Sequence, residues 1–312
     1  MRILKMMGVA LALTGFWACA ASHRPQTAAE ATSPGDRELR RGIYWYHKGC
    51  MQKAMDHLKA AHEHYCLTDQ RSGTARSLNS LANVYRQSGN LADALLFYDA
   101  AIDAARRSGD RTLVAQALSN KAAALLDRAD TADHGDVKAL LDEAQRLVRK
   151  GPVYAMVLTH RAVLAMETRH FDEAGALLDR ADDAAGRQAD RTAAAIRFTR
   201  GRLMMKAGNT PQAQDQFEQA LALDRQTDFA KGMAADLDAL AEIHEQGEAY
   251  GSALDCLERS IKIYALLEDR RRVLKQLDHL QQLAAKSGGD IRVTLYFVNQ
   301  WLAGEAMDAV CR

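Results

Sequence analysis

The sequence is poor in residues that interrupt helices and poor in motifs that mark an active site. Only 4 of its 312 residues are proline, and 6% are aromatic. Because proline breaks the interior of a helix, so few prolines permit long uninterrupted helices. The chain contains no GxxxxGK[ST] phosphate loop, no GxSxG nucleophile motif and no CxxC pair. These absences argue against an enzyme and against a bound cofactor.

The charge is balanced and indicates no nucleic-acid surface. Lys and Arg number 41, Asp and Glu number 40, and the net charge is +1, with both signs interspersed. A nucleic-acid-binding protein would favour a clustered basic face, so we expect no nucleic-acid partner. The run Arg270–Arg272 is interpreted as a solvated helix start. His57, His62 and His64 lack the i, i+4 spacing that favours chelation, so we expect no metal site.

A regular pattern of small and large apolar residues runs through most of the chain. It is clearest between Leu78 and Ala101, where the marked residues share one face of each predicted helix. The small or apolar residue near the start of each second helix returns at intervals of 37 to 43 residues. The residues at this position are Ala54, Ala94, Val137, Ala174, Ala213 and Ala253. A large residue follows four positions later, and a small one three positions after that.

This spacing resembles the tetratricopeptide repeat, in which two antiparallel helices pack through small residues at their crossing. The resemblance covers roughly residues 37–265, and the interval is longer than the family's usual period of about 34 residues. It implies an all-α fold, an α-solenoid of about six helical pairs that occupies residues 37–268. Residues 269–312 are predicted to form a C-terminal capping pair.

In the capping pair, Val293 and Phe297 are predicted to continue the register of the second helices. A terminal pair with altered residues would shield the last apolar face of the array. The last helix is nonetheless rich in aromatic residues, with Tyr296, Phe297 and Trp301 close together. The alternative is that this helix folds into the groove or docks on a partner.

The first 18 residues have the composition of a signal peptide. A basic start, Met1–Lys5, precedes the apolar run Met6–Trp17, which is short for a membrane-spanning helix. Cys19 follows closely, and its surroundings resemble a bacterial lipobox. The resemblance implies cleavage before Cys19, acylation of that cysteine and anchoring in the outer membrane, facing the periplasm. Ordinary cleavage to a free periplasmic protein and an uncleaved segment are the alternatives; residues 19–36 are interpreted as a flexible tether.

Four further cysteines would meet oxidising conditions in an exported protein. Cys50 and Cys66 lie at opposite ends of one predicted helix, about 24 Å apart, which is too far for a disulfide. A bond between Cys256 and Cys311 is geometrically open, but no feature of the sequence supports it. We therefore expect all four cysteines to be unpaired.

In the family's register, the concave groove is lined mainly by the first helix of each pair. The slots that face the groove are polar and basic early in the array, apolar in the middle and acidic at the end. They hold Arg76, Asn79, Asn83 and Arg86, then Met156, Thr159 and Val163, then Phe198, Arg202 and Met205, and finally Asp238, Glu242 and Glu245. We predict that these residues up to Met205 form a partner-binding groove, because methionines adapt to irregular apolar partners. The alternative is that Met156, Met166 and Met205 pack against neighbouring repeats.

The sequence thus predicts a non-catalytic scaffold or adaptor of the cell envelope. It would bind a protein or peptide partner in its groove and the membrane through a lipid anchor. The resemblance implies a role like that of envelope-assembly lipoproteins of this repeat family. The alternative is a sensory array, in which ligand binding changes the shape of the superhelix; an enzyme is a distant third. Nothing in the sequence indicates the oligomeric state.

Overall fold

A computed structural model of the protein describes residues 33–128, 134–186 and 191–305, together with Cys311. Those residues form fourteen α-helices and contain no β-strand. In chain order the helices are α1 (Pro34–His47), α2 (Met51–Leu67), α3 (Arg71–Gln87), α4 (Leu91–Ser108), α5 (Arg111–Leu126), α6 (His134–Leu147), α7 (Gly151–Glu167), α8 (Phe171–Ala185), α9 (Arg191–Lys206), α10 (Thr210–Gln226), α11 (Ala230–Gln246), α12 (Tyr250–Leu266), α13 (Arg270–Ser287) and α14 (Arg292–Leu302). The predicted all-α solenoid of helical pairs is confirmed.

Each pair consists of an odd-numbered first helix and an even-numbered second helix. In the six pairs of the array, the second helix buries all of its marked small and large residues. They are Ala54, Leu58 and Ala61 in α2; Ala94, Tyr98 and Ala101 in α4; Val137, Leu141 and Ala144 in α6; Ala174, Leu178 and Ala181 in α8; Ala213, Phe217 and Ala220 in α10; and Ala253, Leu257 and Ser260 in α12. Small residues let the backbones approach at the crossing, and burial of each large side chain contributes roughly 1.5–3 kcal/mol.

The helices begin and end at residues suited to their termini. Asp110 precedes α5, and its carboxylate accepts hydrogen bonds from the backbone N–H groups of Thr112 (2.9 Å) and Leu113 (3.1 Å). These bonds satisfy donors that the first turn of a helix leaves unpaired. Gly109 ends α4 with a φ of 75°, a left-handed conformation that glycine adopts without strain. Short turns of this kind keep consecutive helices antiparallel and adjacent.

The first helices form the inner side of a curved array. Helix α3 packs against α5, α5 against α7 and α7 against α9, whereas the second helices of these pairs make no comparable contacts with one another. When the helices of a stack pack closely on one side and lie further apart on the other, the stack curves toward the closely packed side. The first helices therefore line the concave face. Beyond α9 the packing changes, because α9, α11 and α13 stand further apart and α12 contacts α14.

The curvature brings the two ends of the array into contact. The Nζ atom of Lys48, just after α1, lies 3.6 Å from a carboxylate oxygen of Asp228, in the turn before α11. Lys231 in α11 donates a hydrogen bond from Nζ to the side-chain oxygen of Gln87, the last residue of α3. Residues far apart in the sequence thus meet, and the array closes on itself.

A disulfide joins the ends that the curvature brings together. Cys50 and Cys311 are bonded, with their Cα atoms 4.9 Å apart and a separation of 261 positions in the sequence. The expectation that all four cysteines are unpaired was therefore wrong for these two, because helical spacing reveals nothing about contacts across a closed array. Cys66, which is exposed, and Cys256, which is buried, are free thiols.

The last helix pair departs from the predicted register. Thr294 and Val298 are the buried residues of α14, whereas Val293 and Phe297 are 65% and 40% exposed. The prediction was thus one residue out of register. The repeat spacing does not extend across the turn that separates α13 from α14, where Gly288 adopts a left-handed φ of 70°.

The predicted signal peptide (residues 1–18) and the lipidation site Cys19 lie outside the described residues, as does most of the tether. Helix α1 already begins at Pro34, within the stretch interpreted as tether. Ser33 caps it by accepting a hydrogen bond from the N–H of Asp36 at 3.0 Å. No helix in the described ranges is both long and apolar enough to cross a membrane.

Candidate functional site

The concave face divides into two regions that differ in how their side chains are partnered. The N-terminal region is formed by α3, α5 and α7, whose helices pack directly against one another. The C-terminal region is formed by α9, α11 and α13, which stand further apart. The predicted groove residues fall in both regions, and three of them meet in one open pocket of the C-terminal region.

In the N-terminal region, polar side chains bond from one first helix to the next. Asn120 in α5 donates a hydrogen bond from Nδ2 to Oδ1 of Asn79 in α3, at 3.1 Å. Arg86 donates two bonds to Asp127, just after α5, from Nε at 2.6 Å and from a terminal guanidinium nitrogen at 3.2 Å. These charge-assisted bonds fix the spacing of consecutive pairs.

The other two polar groove residues of this region are also partnered within the chain. Arg76 donates a hydrogen bond to Asp36 at 2.9 Å and lies over the ring of Tyr65. The hydroxyl of Tyr98 donates to Oδ1 of Asn83 at 2.5 Å. All four predicted polar groove residues, Arg76, Asn79, Asn83 and Arg86, therefore have intramolecular partners that a ligand would have to replace.

A histidine continues this inner network onto α7. The Nδ1 atom of His160 and the hydroxyl of Ser119 share a hydrogen bond of 2.8 Å. Burial, together with the positive charge of Arg86, lowers the pKa of His160 to about 4, so its imidazole is neutral at pH 7. A neutral histidine can remain in this interior without an acidic partner.

The apolar groove residues of α7 are only partly accessible. Thr159 is buried, and its hydroxyl donates to the carbonyl of Ala155 at 2.9 Å. Val163 is partly buried against the core formed by α7, α8 and α9, and Met156 is also partly buried. Met166 is fully buried, in agreement with the alternative that this methionine packs within the array.

The C-terminal region contains an open pocket of about 370 Å³ between α9, α11 and α13. Three of the predicted groove residues, Phe198, Arg202 and Met205, line it. The ring of Phe198 lies 5.5 Å from that of Phe217 on α10, and the two form an aromatic base. The pocket lining also includes Lys206, Ala235, Asp238, Ala239, Glu242 and Arg272.

Charged groups of both signs surround this aromatic base. Arg202 and Lys206 lie on α9, 3.9 Å and 3.6 Å from the carboxylate of Glu167, and both side chains are 41% exposed. Burial raises the pKa of Asp238, opposed by hydrogen bonds from Ser260 and Gln276.

The pocket can therefore hold an apolar side chain and pair with charges beside it. Its size is within the range of small-ligand and side-chain sites. The sequence pattern did not identify Phe217, Lys206 or Arg272 as part of the site. Phe217 was interpreted as core because it follows the second-helix pattern, and Arg272 was placed in a solvated run.

A pair of buried carboxyl groups lies between α10, which carries Asp224, and α11, which carries Asp236. Asp224 and Asp236 lie beside each other and are nearly inaccessible to solvent. Gly232 permits this approach, since a Cβ atom there would lie 1.8 Å from a carboxylate oxygen of Asp224. Burial raises the pKa of Asp224 to about 7 and, with the adjacent Asp224 charge, that of Asp236 to about 8. Because solvent does not reach the pair, we interpret it as structural rather than catalytic.

Comparison with known proteins agrees with this architecture. Residues 39–107 match the tetratricopeptide repeat family model. No curated protein sequence matches the chain. Across the described residues, no group of three or more His, Cys, Asp or Glu side chains could hold a metal ion.

Solved structures of similar shape include a Rap protein complexed with competence and sporulation factor, with a TM-score of 0.57 and 15% identity. The match covers 88% of this chain and 77% of that one. The Cut9–Hcn1 assembly of the APC/C gives a TM-score of 0.51 at 15% identity, covering 86% and 56% of the two chains. A tetratricopeptide repeat protein of Thermus thermophilus gives 0.48 at 20% identity, covering 64% and 98%. At these identities the first two likenesses show the fold.

Proposed function

We propose that the protein is a non-catalytic scaffold that holds a protein or peptide partner in the C-terminal region of its concave face. The observation that supports this most is the open pocket in which Phe198, Arg202 and Met205 meet. Arginine and aromatic residues commonly dominate protein interfaces. The Rap and Cut9 structures were solved with partners, as their names state, and we extend that property to this chain as part of the proposal.

We further propose that the protein is exported and anchored through an acylated Cys19. The basic and apolar residues before Cys19 support this, as does the Cys50–Cys311 bond, because structural disulfides persist mainly in oxidising compartments. Metabolic labelling with a fatty acid, followed by cell fractionation, tests the anchor. We expect label and membrane association in the wild type and loss of both in Cys19→Ala. Unlabelled wild-type protein in a soluble fraction would contradict the anchor and leave the pocket proposal intact.

Site-specific photo-crosslinking in cells tests the pocket. A photoreactive phenylalanine analogue replaces Glu242, which is exposed and lines the pocket, or Glu218, which is exposed on α10 and does not. We expect a discrete cross-linked product from position 242 alone. The product should disappear when Phe198→Ala and Arg202→Ala are added, while circular dichroism shows unchanged helicity. Equal products at both positions, or a product that survives the added changes, would refute a partner in this pocket.

A second candidate function, a ligand-sensing array, is favoured by the closure of the array on itself. A ligand that prefers an open or a closed form would shift the equilibrium between them. Small-angle scattering of the wild type and of a Cys50→Ser/Cys311→Ser variant tests this possibility. A larger radius of gyration in the variant would show that an open form is accessible; identical radii would exclude opening as the signal.

A further inference from the structure

A second cavity lies where the two ends of the array meet, away from the pocket of the concave face. It has a volume of about 440 Å³, and we call it the closure pocket. One wall comes from the turn before α2 and its first residues and from the end of α3; the other comes from the start of α11 and the turn before α13. Both Cys50 and Cys311 line it. The closure pocket exists only because the array curves back on itself.

Cations from three helices converge on the closure pocket. They are Lys53 of α2, Lys231 of α11, and Arg270 and Arg271 of α13. Arg270 and Arg271 form no ion pair with any described residue, so their charge is not neutralised locally.

The described acidic residues of the lining offset only part of this charge, chiefly through Asp269, whose carboxylate favours the charged form of Lys231. Asp269 accepts a hydrogen bond from the N–H of Arg272 as the cap of α13, and its carboxylate lies 3.5 Å from the guanidinium of the same residue. Glu268 is exposed in the turn. Among the described lining residues, four cations thus face two carboxylates, and one of those carboxylates is already engaged.

Lys231 is a partly buried cation at the junction of the two ends. Its ammonium group is held between the two ends by its bond to Gln87. Burial, followed by the positive charge of Arg272 and then of Arg271, lowers the pKa of Lys231 to about 8. An anion in the closure pocket would relieve this repulsion.

We propose that the closure pocket binds a small ligand with two or more phosphate or carboxylate groups, which bridges the two ends of the array. The arginines suit such a ligand because a guanidinium group can pair with a carboxylate or a phosphate group through two parallel hydrogen bonds. The volume suits a small molecule. This site goes beyond the proposed partner scaffold and does not depend on it.

Isothermal titration of the full chain with pyrophosphate and with citrate, at matched ionic strength, tests the site and shows which oxyanion it prefers. We expect saturable binding of at least one probe with one site per chain. Lys231→Gln/Arg271→Gln should weaken it at least tenfold. The matched control, Arg259→Gln/Lys275→Gln, removes the same charge outside the closure pocket and should change affinity less than twofold.

A further variant tests whether binding needs the closed architecture in addition to the four cations. Cys50→Ser/Cys311→Ser keeps all four cations, and we expect weaker binding because the walls of the closure pocket are no longer joined. Thermal unfolding of every variant confirms that the chain is folded. The proposal is overturned if neither probe binds the wild type, or if the two charge-matched pairs lose affinity equally.

Discussion

The two regions of the concave face are built on the same second-helix core, yet they differ in what they leave available. In the N-terminal region, Arg86 pairs with Asp127 and Asn79 with Asn120, so the inner face is used to hold consecutive helices together. In the C-terminal region, α9 and α11 separate, and Phe198 and Arg202 face an open pocket. The comparison teaches that the repeat pattern sets the core, while first-helix side chains decide whether the groove is closed or open.

The largest expected effect tests the shared core. Ala94→Asp in α4 and Ala213→Asp in α10 each bury an unpaired charge at a helix crossing, because both alanines are fully buried. We expect each to lower the free energy of unfolding by about 3–5 kcal/mol, measured by chemical denaturation. The control Leu96→Asp, on the same helix as Ala94 but 65% exposed, should change it by less than about 0.5 kcal/mol.

Hydrogen exchange would sharpen this test. In a one-dimensional array, neighbouring pairs share an interface, so loss of protection should extend from the altered pair to its neighbours before distant pairs. A uniform loss across both regions would contradict independent stacking and indicate that closure makes the array one cooperative unit.

The next effect concerns the bond between the two ends. Cys50→Ser/Cys311→Ser removes a cross-link between cysteines that are separated by 261 positions in the sequence. Since a cross-link restricts the unfolded chain, we expect a loss of about 2–4 kcal/mol in the free energy of unfolding. Exposed Cys66→Ser is the control and should be neutral. Equal stability of the double variant and the wild type would show that closure does not depend on the bond.

The pH dependence of stability tests the buried carboxyl pair, which belongs to the C-terminal side alone. Burial raises the pKa of Asp224 and Asp236 above the usual value of 3.8, so the folded chain binds more protons than the unfolded chain between about pH 4 and 8. Their stabilisation is therefore complete below about pH 4 and is lost as pH rises through 7 to 8.

Asp236→Asn removes one titrating group while keeping the shape of the side chain. We expect its stability relative to wild type to rise between pH 5 and 8, by an amount on the order of 2 kcal/mol. The difference in stability between variant and wild type is the proper measure, because it cancels the contribution of His47 and His160. The pKa values of these two histidines are lowered, so they reduce the stability of both proteins as the pH falls below about 6.5. The exposed control Asp183→Asn should show no such trend, and a flat difference for Asp236→Asn would refute the raised pKa of Asp236.

The smallest effect compares one arginine from each region. Arg86→Met breaks the two bonds to Asp127, and we expect a loss of about 1 kcal/mol, modest because Asp127 is half exposed. Arg202→Met removes only loose contacts and should change stability by less than about 0.5 kcal/mol. Thermal denaturation of the two variants measures both. A reversed order would mean that the open pocket, rather than the inner network, supports the fold.

Part of the candidate site was predictable from the sequence. The register of the repeat family, which the sequence resembles, placed Phe198, Arg202 and Met205 in the groove, and these three residues line one pocket. Arg76 and Asn79 were placed there by the same register, but their partners Asp36 and Asn120 could not be foreseen. Those contacts depend on the rotation between consecutive pairs, which the spacing of apolar residues does not specify.

By itself, the sequence determined the helical pairs and the residues that pack between them, whereas the inner position of the first helices was implied by the resemblance to the repeat family. It could do so because these features follow from contacts within about 40 residues, which a helical period records. Only the tertiary structure decided the closure of the array, the Cys50–Cys311 bond, the one-residue shift of α14 and the convergence of Lys231 and Arg271. Each of these depends on small rotations between pairs that accumulate along the whole array, so no local pattern encodes it.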